Sequence, residues 1–312
     1  MDVSIIIPTH NHAQSLKKTL ESMNTLSIPE NIECEVIIIN NQCTDRTDDV
    51  VRNFHSKIPL KYLKEPALGV SKARNKGLQE ASGKLLVFTD DDIQVGTQWL
   101  VSYWQEYQKK PCGYYFGGPI VSKFESQKID EELMAYAPFS VRGLNWGNEN
   151  RELTDNEMFI GPNFAFPRYF IEEAGPFSAS FGLNAENALV GSGSETELMT
   201  RFRDKGFKAY YVAEAAVVQF VPKEKSGWRH IMGRKTSYGY EVARLKEKEI
   251  KGPFLFGVPR WVYKDYCVQC MKYWFQRLTG KKAYKTYARM KYTQGFYYGC
   301  KDRQRNGYYS HG

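Results

Sequence analysis

Short apolar runs alternate with amphipathic stretches over the first 110 residues of this 312-residue chain, and this alternation limits the fold more than any other feature of the sequence. Each apolar run is typical of a buried strand, and each amphipathic stretch repeats its apolar residues every three or four positions, as a helix does. Strands and helices in alternation predict an α/β domain in which helices cover both faces of a parallel sheet. The predicted strands are 4–7, 35–39, 60–64 and 84–89, and the predicted helices are 13–26, 44–54 and 71–81.

After residue 110 the alternation of strands and helices gives way to glycine-rich and aromatic segments. Here we predict helices at 129–137 and 195–205 and a strand at 210–221, which would build the second half of the same domain. Helical patterns return near the end of the chain. The predicted organisation is an α/β domain at 1–225, made of the halves 1–110 and 111–225, and a mainly helical extension at 226–312.

Polar residues follow three of the predicted strands at the point where each strand ends. They are residues 9–11, residues 40 and 41, and residues 90–92. The carboxyl ends of parallel strands meet at one edge of a sheet, where ligands bind in the crevice between loops. The sequence therefore predicts a binding crevice at this edge.

Asp90, Asp91 and Asp92 form the sharpest local signal in the sequence. Adjacent carboxylates repel one another and raise each other's pKa unless a cation neutralises them. Oxygen ligands of this kind suit Mg²⁺ or Mn²⁺, which take one or two protein carboxylates together with phosphates of a substrate. We predict a divalent ion at this site, and an acidic turn at a strand end is the alternative.

Six segments of the chain occur in the order and spacing of one family. They are SIIIPTHN at 4–11, VIIINNQCTD at 36–45, GVSKARNKG at 69–77, FTDDD at 88–92, GPNFA at 161–165 and GSETEL at 193–198. Taken together, they resemble family 2 glycosyltransferases, which are inverting enzymes with the GT-A fold, a Rossmann-like α/β fold. The resemblance implies transfer of a sugar from a nucleotide-diphosphate donor, with a UDP-sugar favoured, to a hydroxyl of a glycan, polysaccharide or lipid-linked acceptor.

The resemblance also implies roles on the donor side. Asn40 stands where the family usually has an aspartate that reads the base. An amide oxygen still accepts a hydrogen bond from a pyrimidine, but its NH₂ group admits other bases, so the base stays open. The implied donor contacts are Pro8, Thr9, Asn11 and Asn40 in the nucleotide pocket, Arg74 at the phosphates or ribose, Asp90 at the ribose or nucleotide with Asp91 beside it, and Asp92 as the direct ligand of Mn²⁺ or Mg²⁺.

Glu195 is the candidate general base for the acceptor hydroxyl. It follows the glycine-rich residues 191–194, which would let its carboxylate approach the acceptor. The family usually has an acidic pair here; Ser194 replaces the first acid, and Glu197 is the second candidate. An acid in the first turn of a helix capped by Ser194 would also be favoured structurally, so that alternative stays open. The remaining assignments are Gly161, Asn163 and Trp228 in acceptor binding, and Gln219, where many relatives carry a histidine, as a second metal ligand.

The end of the chain is strongly basic. From residue 223 onward there are 21 Lys and Arg against 6 Asp and Glu, although the whole chain has a net charge of only +8. Such a region suits an acidic or lipid-linked acceptor or an anionic membrane surface. A solvated basic face is the structural alternative, and nucleic acid is the least favoured partner. We find no signal peptide or membrane span in the sequence, which predicts a cytoplasmic protein, peripheral at the inner face of the membrane.

Two other functions compete with sugar transfer. A sugar-nucleotide pyrophosphorylase would need a loop rich in glycine and arginine directly after the first strand, and residues 9–12, THNH, do not form one. A catalytically silent nucleotide-sugar or glycan-binding protein with the same fold is suggested by Ser194 and Gln219, where acidic and histidine residues are usual.

Overall fold

A computed structural model describes residues 1–110, 112–126, 128–179, 193–245 and 250–305 of the chain. These residues form two compact units. The first contains the described residues of 1–123, 142–185 and 193–221, and the second contains those of 124–141 and 222–312.

The strands of the first unit are the backbone of the fold. They are β1 Val3–Thr9, β2 Cys34–Asn40, β3 Leu60–Lys64, β4 Leu85–Phe88, β5 Ile93–Val95, β6 Tyr114–Gly117, β7 Ile120–Phe124, β8 Arg151–Glu152, β9 Phe164–Pro167, β10 Lys208–Tyr211 and β11 Val217–Val221.

Eight of these strands form one sheet, in the order β3-β2-β1-β4-β9-β6-β10-β8. The neighbours β3, β2, β1 and β4 run parallel to one another, so their carboxyl ends meet at one edge. β9 pairs antiparallel with both β4 and β6. A second sheet of three strands has the order β5-β11-β7. Every residue of β1, β2, β4 and β9 is buried, as expected for strands covered on both faces.

Helices connect the strands of the first half, as the alternation predicts. The helices before residue 222 are α1 Ala13–Met23, α2 Thr47–Arg52, α3 Val70–Glu80, α4 Trp99–Lys109, α5 Glu131–Met134, α6 Phe139–Arg142, α7 Tyr169–Ala174 and α8 Ser194–Asp204, as far as the structure describes them.

The predicted α/β fold is confirmed, and each strand and helix predicted in the first 110 residues has a counterpart within three residues at either end. The predicted strand 210–221 is wrong, because this segment forms β10 and β11 in different sheets. The chain turns between them, where the carbonyl of Ala215 accepts a hydrogen bond of 2.7 Å from Asn163 Nδ2. The predicted helix 129–137 is reduced to the short α5.

The second unit is mainly helical. Its long helices are α9 Trp228–Leu245, α10 Arg260–Leu278 and α11 Tyr284–Arg305, with a short hairpin of β12 Phe254–Leu255 and β13 Val258–Pro259. The helices α9 and α11 approach closely, since a Cβ atom at Gly295 would overlap the carbonyl of Thr236. Among the described residues, no helix combines the length and the apolar character that crossing a bilayer requires.

Candidate active site

A buried arginine joins three segments of the first unit that are remote in sequence. The side chain of Arg74, on α3, is only 3% exposed. Its Nη2 lies 3.3 Å from Asp90 Oδ1 at the end of β4, and its Nη1 lies 3.4 Å from Glu195 Oε2 on α8. Nη1 also donates a hydrogen bond of 3.0 Å to Ser194 Oγ. Arg74 therefore holds two predicted site carboxylates, Asp90 and Glu195, in one charged cluster.

Glu195 lies in the first turn of α8 with both carboxylate oxygens engaged. Oε1 accepts a hydrogen bond of 3.1 Å from the amide of Gly161, and Oε2 accepts one of 2.7 Å from Ser194 Oγ. Burial would raise the pKa of Glu195, but the Arg74 charge and these hydrogen bonds outweigh burial and lower it. Glu195 is therefore ionised at neutral pH and able to accept a proton.

Ser194 does not cap α8, contrary to the structural alternative considered for this turn. The N-cap residue is Gly193, which has a left-handed backbone with φ 94°, and Ser194 is the first helical residue. The other candidate base, Glu197, forms an ion pair of 2.6 Å with Arg201 on the same helix. Of the two acids, Glu195 is thus the one that belongs to the Arg74 cluster.

Gly161→Ala tests how tightly this cluster is packed. A Cβ atom at position 161 would overlap the Glu195 carboxylate and the Arg74 guanidinium. We expect the free energy of unfolding to fall by about 1–3 kcal/mol, because both charged groups must move apart from their partners. Urea denaturation measures this loss. The matched control is Gly96→Ala, where the added Cβ meets only ordinary contacts, and an equal effect of the two substitutions would contradict the geometry.

The acidic triplet carries more negative charge than the cluster compensates. Burial raises the pKa of Asp90 to about 7, although Arg74 opposes the rise. The carboxylates of Asp92, Glu195 and Asp91 add to it. This environment favours a bound cation, which would relieve the repulsion.

The three aspartates point to different partners. Asp91 is buried, and its Oδ1 lies 2.9 Å from Nδ1 of His12. Asp92 Oδ1 accepts a long hydrogen bond of 3.4 Å from Nε2 of Gln219, on β11. The structure thus brings together Asp92 and Gln219, the two predicted metal ligands, although 127 positions separate them in the chain.

The side chains around Asp92 fit a divalent ion. Gln219 Oε1 is buried and accepts no hydrogen bond from any residue that the structure describes. Because Nε2 is the atom that faces Asp92, the amide must turn over to present this unused oxygen to an ion there. With the carboxylates of Asp90 and Asp92 it provides the hard oxygen ligands that Mg²⁺ and Mn²⁺ prefer. Within the described ranges there is no complete set of three or more His, Cys, Asp or Glu ligands. The arrangement suits an ion that takes its other ligands from a phosphate-bearing molecule and from water.

The residues predicted to bind the nucleotide, Pro8, Thr9, Asn11 and Asn40, lie at or just beyond the ends of β1 and β2. Thr9 pairs in register with Asn40, and Pro8 precedes it in the same buried strand. The amide of Asn40 is fully engaged: Nδ2 donates to Asp48 Oδ1 at 2.8 Å and to the Tyr62 hydroxyl at 2.7 Å. Asn40 Oδ1 accepts from the backbone amide of residue 43 at 2.7 Å.

Asn11 shapes the adjacent loop. It has a left-handed backbone with φ 56°, and its Oδ1 accepts a hydrogen bond of 2.7 Å from the amide of Thr44. This bond ties the loop after β1 to the loop after β2, so the two strand ends form one wall.

Asn163 and Trp228, two of the residues predicted to bind the acceptor, contact other residues of the protein. Asn163 is buried, and its Oδ1 accepts from Trp99 Nε1 at 2.8 Å and from the Tyr103 hydroxyl at 2.7 Å. Its Nδ2 donates to the carbonyls of Pro119 and Ala215. Its hydrogen-bonding capacity is used inside the first unit. Trp228 belongs to the second unit, where its ring packs 4.9 Å from that of Tyr287.

Sequence reasoning missed His12 and the part that Ser194 plays. The sequence analysis assigns His12 no role, yet its Nδ1 lies 2.9 Å from Asp91 Oδ1. Its place directly after the first strand-end motif was the available signal. From the sequence, Ser194 replaces an acidic residue of the family or caps the helix. In the structure its hydroxyl accepts a hydrogen bond from Arg74 and donates one to Glu195.

The chain is similar to known proteins in both sequence and structure. The model of the family described as glycosyl transferase family 2 matches residues 4–175. Validoxylamine A glucosyltransferase of Streptomyces hygroscopicus subsp. jinggangensis is 36% identical over 104 residues, which are 32% of this chain and 24% of that protein. The probable glycosyltransferase YdaM of Bacillus subtilis is 25% identical over 237 residues, 72% of this chain and 52% of that protein. The chain thus spans from about a quarter to about half of these relatives.

Two solved structures show the same fold. The mannosyltransferase PcManGT from Pyrobaculum calidifontis, in complex with GDP-Man and Mn²⁺, has a TM-score of 0.59 at 17% identity and covers 98% of this chain and 87% of its own. Residues 1–349 of TarS from S. aureus, in complex with UDP-GlcNAc, have a TM-score of 0.58 at 17% identity, with 100% of this chain and 93% of that chain covered.

Proposed function

The chain belongs to glycosyl transferase family 2 and has the GT-A fold, and on this basis we propose that it is an inverting glycosyltransferase. It would move a sugar from a nucleotide-diphosphate donor to an acceptor hydroxyl. The observation that carries the proposal is the cluster in which Arg74 joins Asp90, at the end of a parallel strand, to the ionised Glu195. Such a cluster sets a donor-side carboxylate and a proton acceptor next to each other.

On the donor side, the ends of β1 and β2 would hold the nucleotide, and a UDP-sugar is favoured. The structure of TarS, which has the same fold, was solved with UDP-GlcNAc, and this supports the choice of donor. Pro8, Thr9 and Asn11 would line the pocket. Because both ends of the Asn40 amide are bound within the protein, we propose that Asn40 shapes the pocket and that the base is read by neighbouring groups.

On the metal side, Asp92 and Gln219 would hold Mn²⁺ or Mg²⁺ together with the diphosphate, and Asp90 lies beside them. When bound, the ion would supply positive charge against the negative charge that develops on the departing diphosphate. Asp91, fixed by His12, would keep the loop after β4 in place.

On the acceptor side, Glu195 would accept the proton of the attacking hydroxyl. Its Oε1 is oriented by the amide of Gly161 and its Oε2 by Ser194, so the carboxylate is held in one position before the acceptor arrives. A base without a protein nucleophile fits a single displacement, which inverts the anomeric centre. The acceptor would be a hydroxyl of a glycan, a polysaccharide or a lipid-linked saccharide.

The test is incubation of the full chain with UDP-, GDP- and dTDP-sugars in the presence of Mn²⁺. We expect slow release of the nucleoside diphosphate from one donor class, with water in place of the acceptor, and loss of that release in chelator. Formation of a nucleoside triphosphate from added pyrophosphate would indicate a pyrophosphorylase instead. Binding of a donor without any release, with or without candidate acceptors, would indicate a silent binding protein.

A further inference from the structure

The helix α10 of the second unit exposes a continuous apolar stripe. Met271, Trp274, Phe275 and Leu278 are 65%, 65%, 66% and 84% exposed. They follow the spacing i, i+3, i+4 and i+7, so they share one face of the helix. Single exposed apolar residues are common, but four large ones on one face mark a surface that another body covers.

The opposite face of α10 lies against the other long helices and is mixed, with the buried apolar Val262 beside polar side chains. Asp265 accepts hydrogen bonds of 2.7 Å from Arg289 Nε and from Thr293 Oγ1, both on α11. Farther along the same face, Gln269 and Lys272 line a cavity of about 830 Å³ between α9, α10 and α11. A helix at the surface of a soluble unit normally turns its apolar face inward and its polar face to water. In α10, by contrast, four large apolar side chains face outward.

The charge around the stripe identifies what covers it. Residues 260–282 carry six Lys or Arg and one acid, Asp265, which is already paired with Arg289. A second copy of the chain would bring two such basic segments together, and their repulsion opposes self-association through this face. An anionic lipid surface complements the charge. Trp, Phe and Leu flanked by Lys and Arg are also the composition of helices that lie in the bilayer interface.

We propose that α10 docks the chain onto an anionic bilayer. The side chains of Met271, Trp274, Phe275 and Leu278 enter the boundary between headgroups and acyl chains. The exposed cations of the same helix, such as Lys264 and Arg277, contact lipid phosphates. Docking of this kind needs neither a sugar donor nor a metal ion, so it is separate from the proposed transfer reaction.

The test is co-sedimentation of the full chain with vesicles of phosphatidylcholine, alone or mixed with phosphatidylglycerol. We expect binding to the mixed vesicles that weakens as salt is added. Phe275→Glu together with Leu278→Glu should weaken it by about a hundredfold, since each buried apolar side chain contributes about tenfold. The control is Val121→Glu, which replaces one apolar side chain by glutamate at a 54% exposed position on β7 and should bind much like wild type.

Charge is tested separately with Lys264→Gln and Arg277→Gln on the same helix. We expect about fivefold weaker binding to the mixed vesicles for each charge removed, and little change with phosphatidylcholine alone. All the substituted side chains are exposed, and an unchanged melting temperature will show that each variant folds.

Three results would overturn the proposal. The first is a wild-type chain that stays in the supernatant with the mixed vesicles, and the second is a Phe275→Glu, Leu278→Glu variant that binds them as wild type does. The third is self-association without lipid that this variant abolishes, which would assign the stripe to a second copy. Nucleotide-sugar turnover is a separate readout, so failure here does not bear on the proposed function.

Discussion

Glu195→Gln is expected to lower the rate of sugar transfer by about 10²–10⁴-fold while donor binding is retained. Glutamine has nearly the same shape and keeps an oxygen that accepts the hydrogen bond from the amide of Gly161. It has no carboxylate to take the proton of the acceptor hydroxyl. The measurement is kcat for transfer, compared with the affinity for the nucleoside diphosphate.

Glu197→Gln is the matched control for this prediction, because it makes the same change two residues along the same helix. The Glu197 side chain pairs with Arg201 and is not part of the Arg74 cluster, so we expect kcat to stay close to that of wild type. If both variants lost activity equally, or if only Glu197→Gln did, the assignment of Glu195 as the base would be wrong.

Arg74→Met is expected to lower the free energy of unfolding by about 3–5 kcal/mol. It removes a buried cation and leaves the carboxylates of Asp90 and Glu195 without their compensating charge. Urea denaturation gives the size of the loss. Arg52→Met is the control, since the Arg52 side chain is 70% exposed and pairs with Asp48 only at 3.9 Å, and such a pair contributes less than about 1 kcal/mol.

The pH dependence of the Arg74→Met variant separates lost charge from lost packing. In wild type, the lowered pKa of Glu195 means that its contribution to stability is present above the ordinary glutamate pKa and is lost as the pH falls. Without Arg74, both carboxyls lose the charge that most opposes the effect of burial, so their pKa values rise and the folded state gains stability when they bind protons. The loss relative to wild type should therefore shrink between about pH 8 and about pH 5. A loss independent of pH would point to packing.

The position of the site was predictable from the sequence because it follows from local patterns. Apolar runs define the buried strands, and the polar residues at their carboxyl ends must then meet at one edge of a parallel sheet. This reasoning placed Asp90 at the same edge as Thr9 and Asn40, and the structure has Thr9 and Asn40 in register.

The contacts inside the site were not predictable in the same way. The hydrogen bond from Arg74 to Ser194 joins residues 120 positions apart, and no local pattern records it. The turn between β10 and β11 was not predictable because residues 210–221 form a mainly apolar segment, which indicates a single strand. The bond that Asn163 Nδ2 donates to the carbonyl of Ala215 comes from a distant segment.

The orientation of α10 shows a second limit. The sequence indicates helices in this basic region, but it does not state which face of a helix turns inward. That choice depends on partners elsewhere in the chain, such as Arg289 and Thr293, which bind Asp265 and hold its face of α10 against α11.

Binding of UDP with and without Mn²⁺, measured by calorimetry on wild type and on Asp92→Asn, tests the central claim most directly. That claim is that the acidic triplet holds a divalent ion against the donor diphosphate. We expect Mn²⁺ to tighten UDP binding to wild type by about tenfold or more, and to have almost no effect on the variant, which keeps the shape of Asp92 without its charge. Equal tightening by Mn²⁺ in the two proteins, with both fully folded, would contradict it.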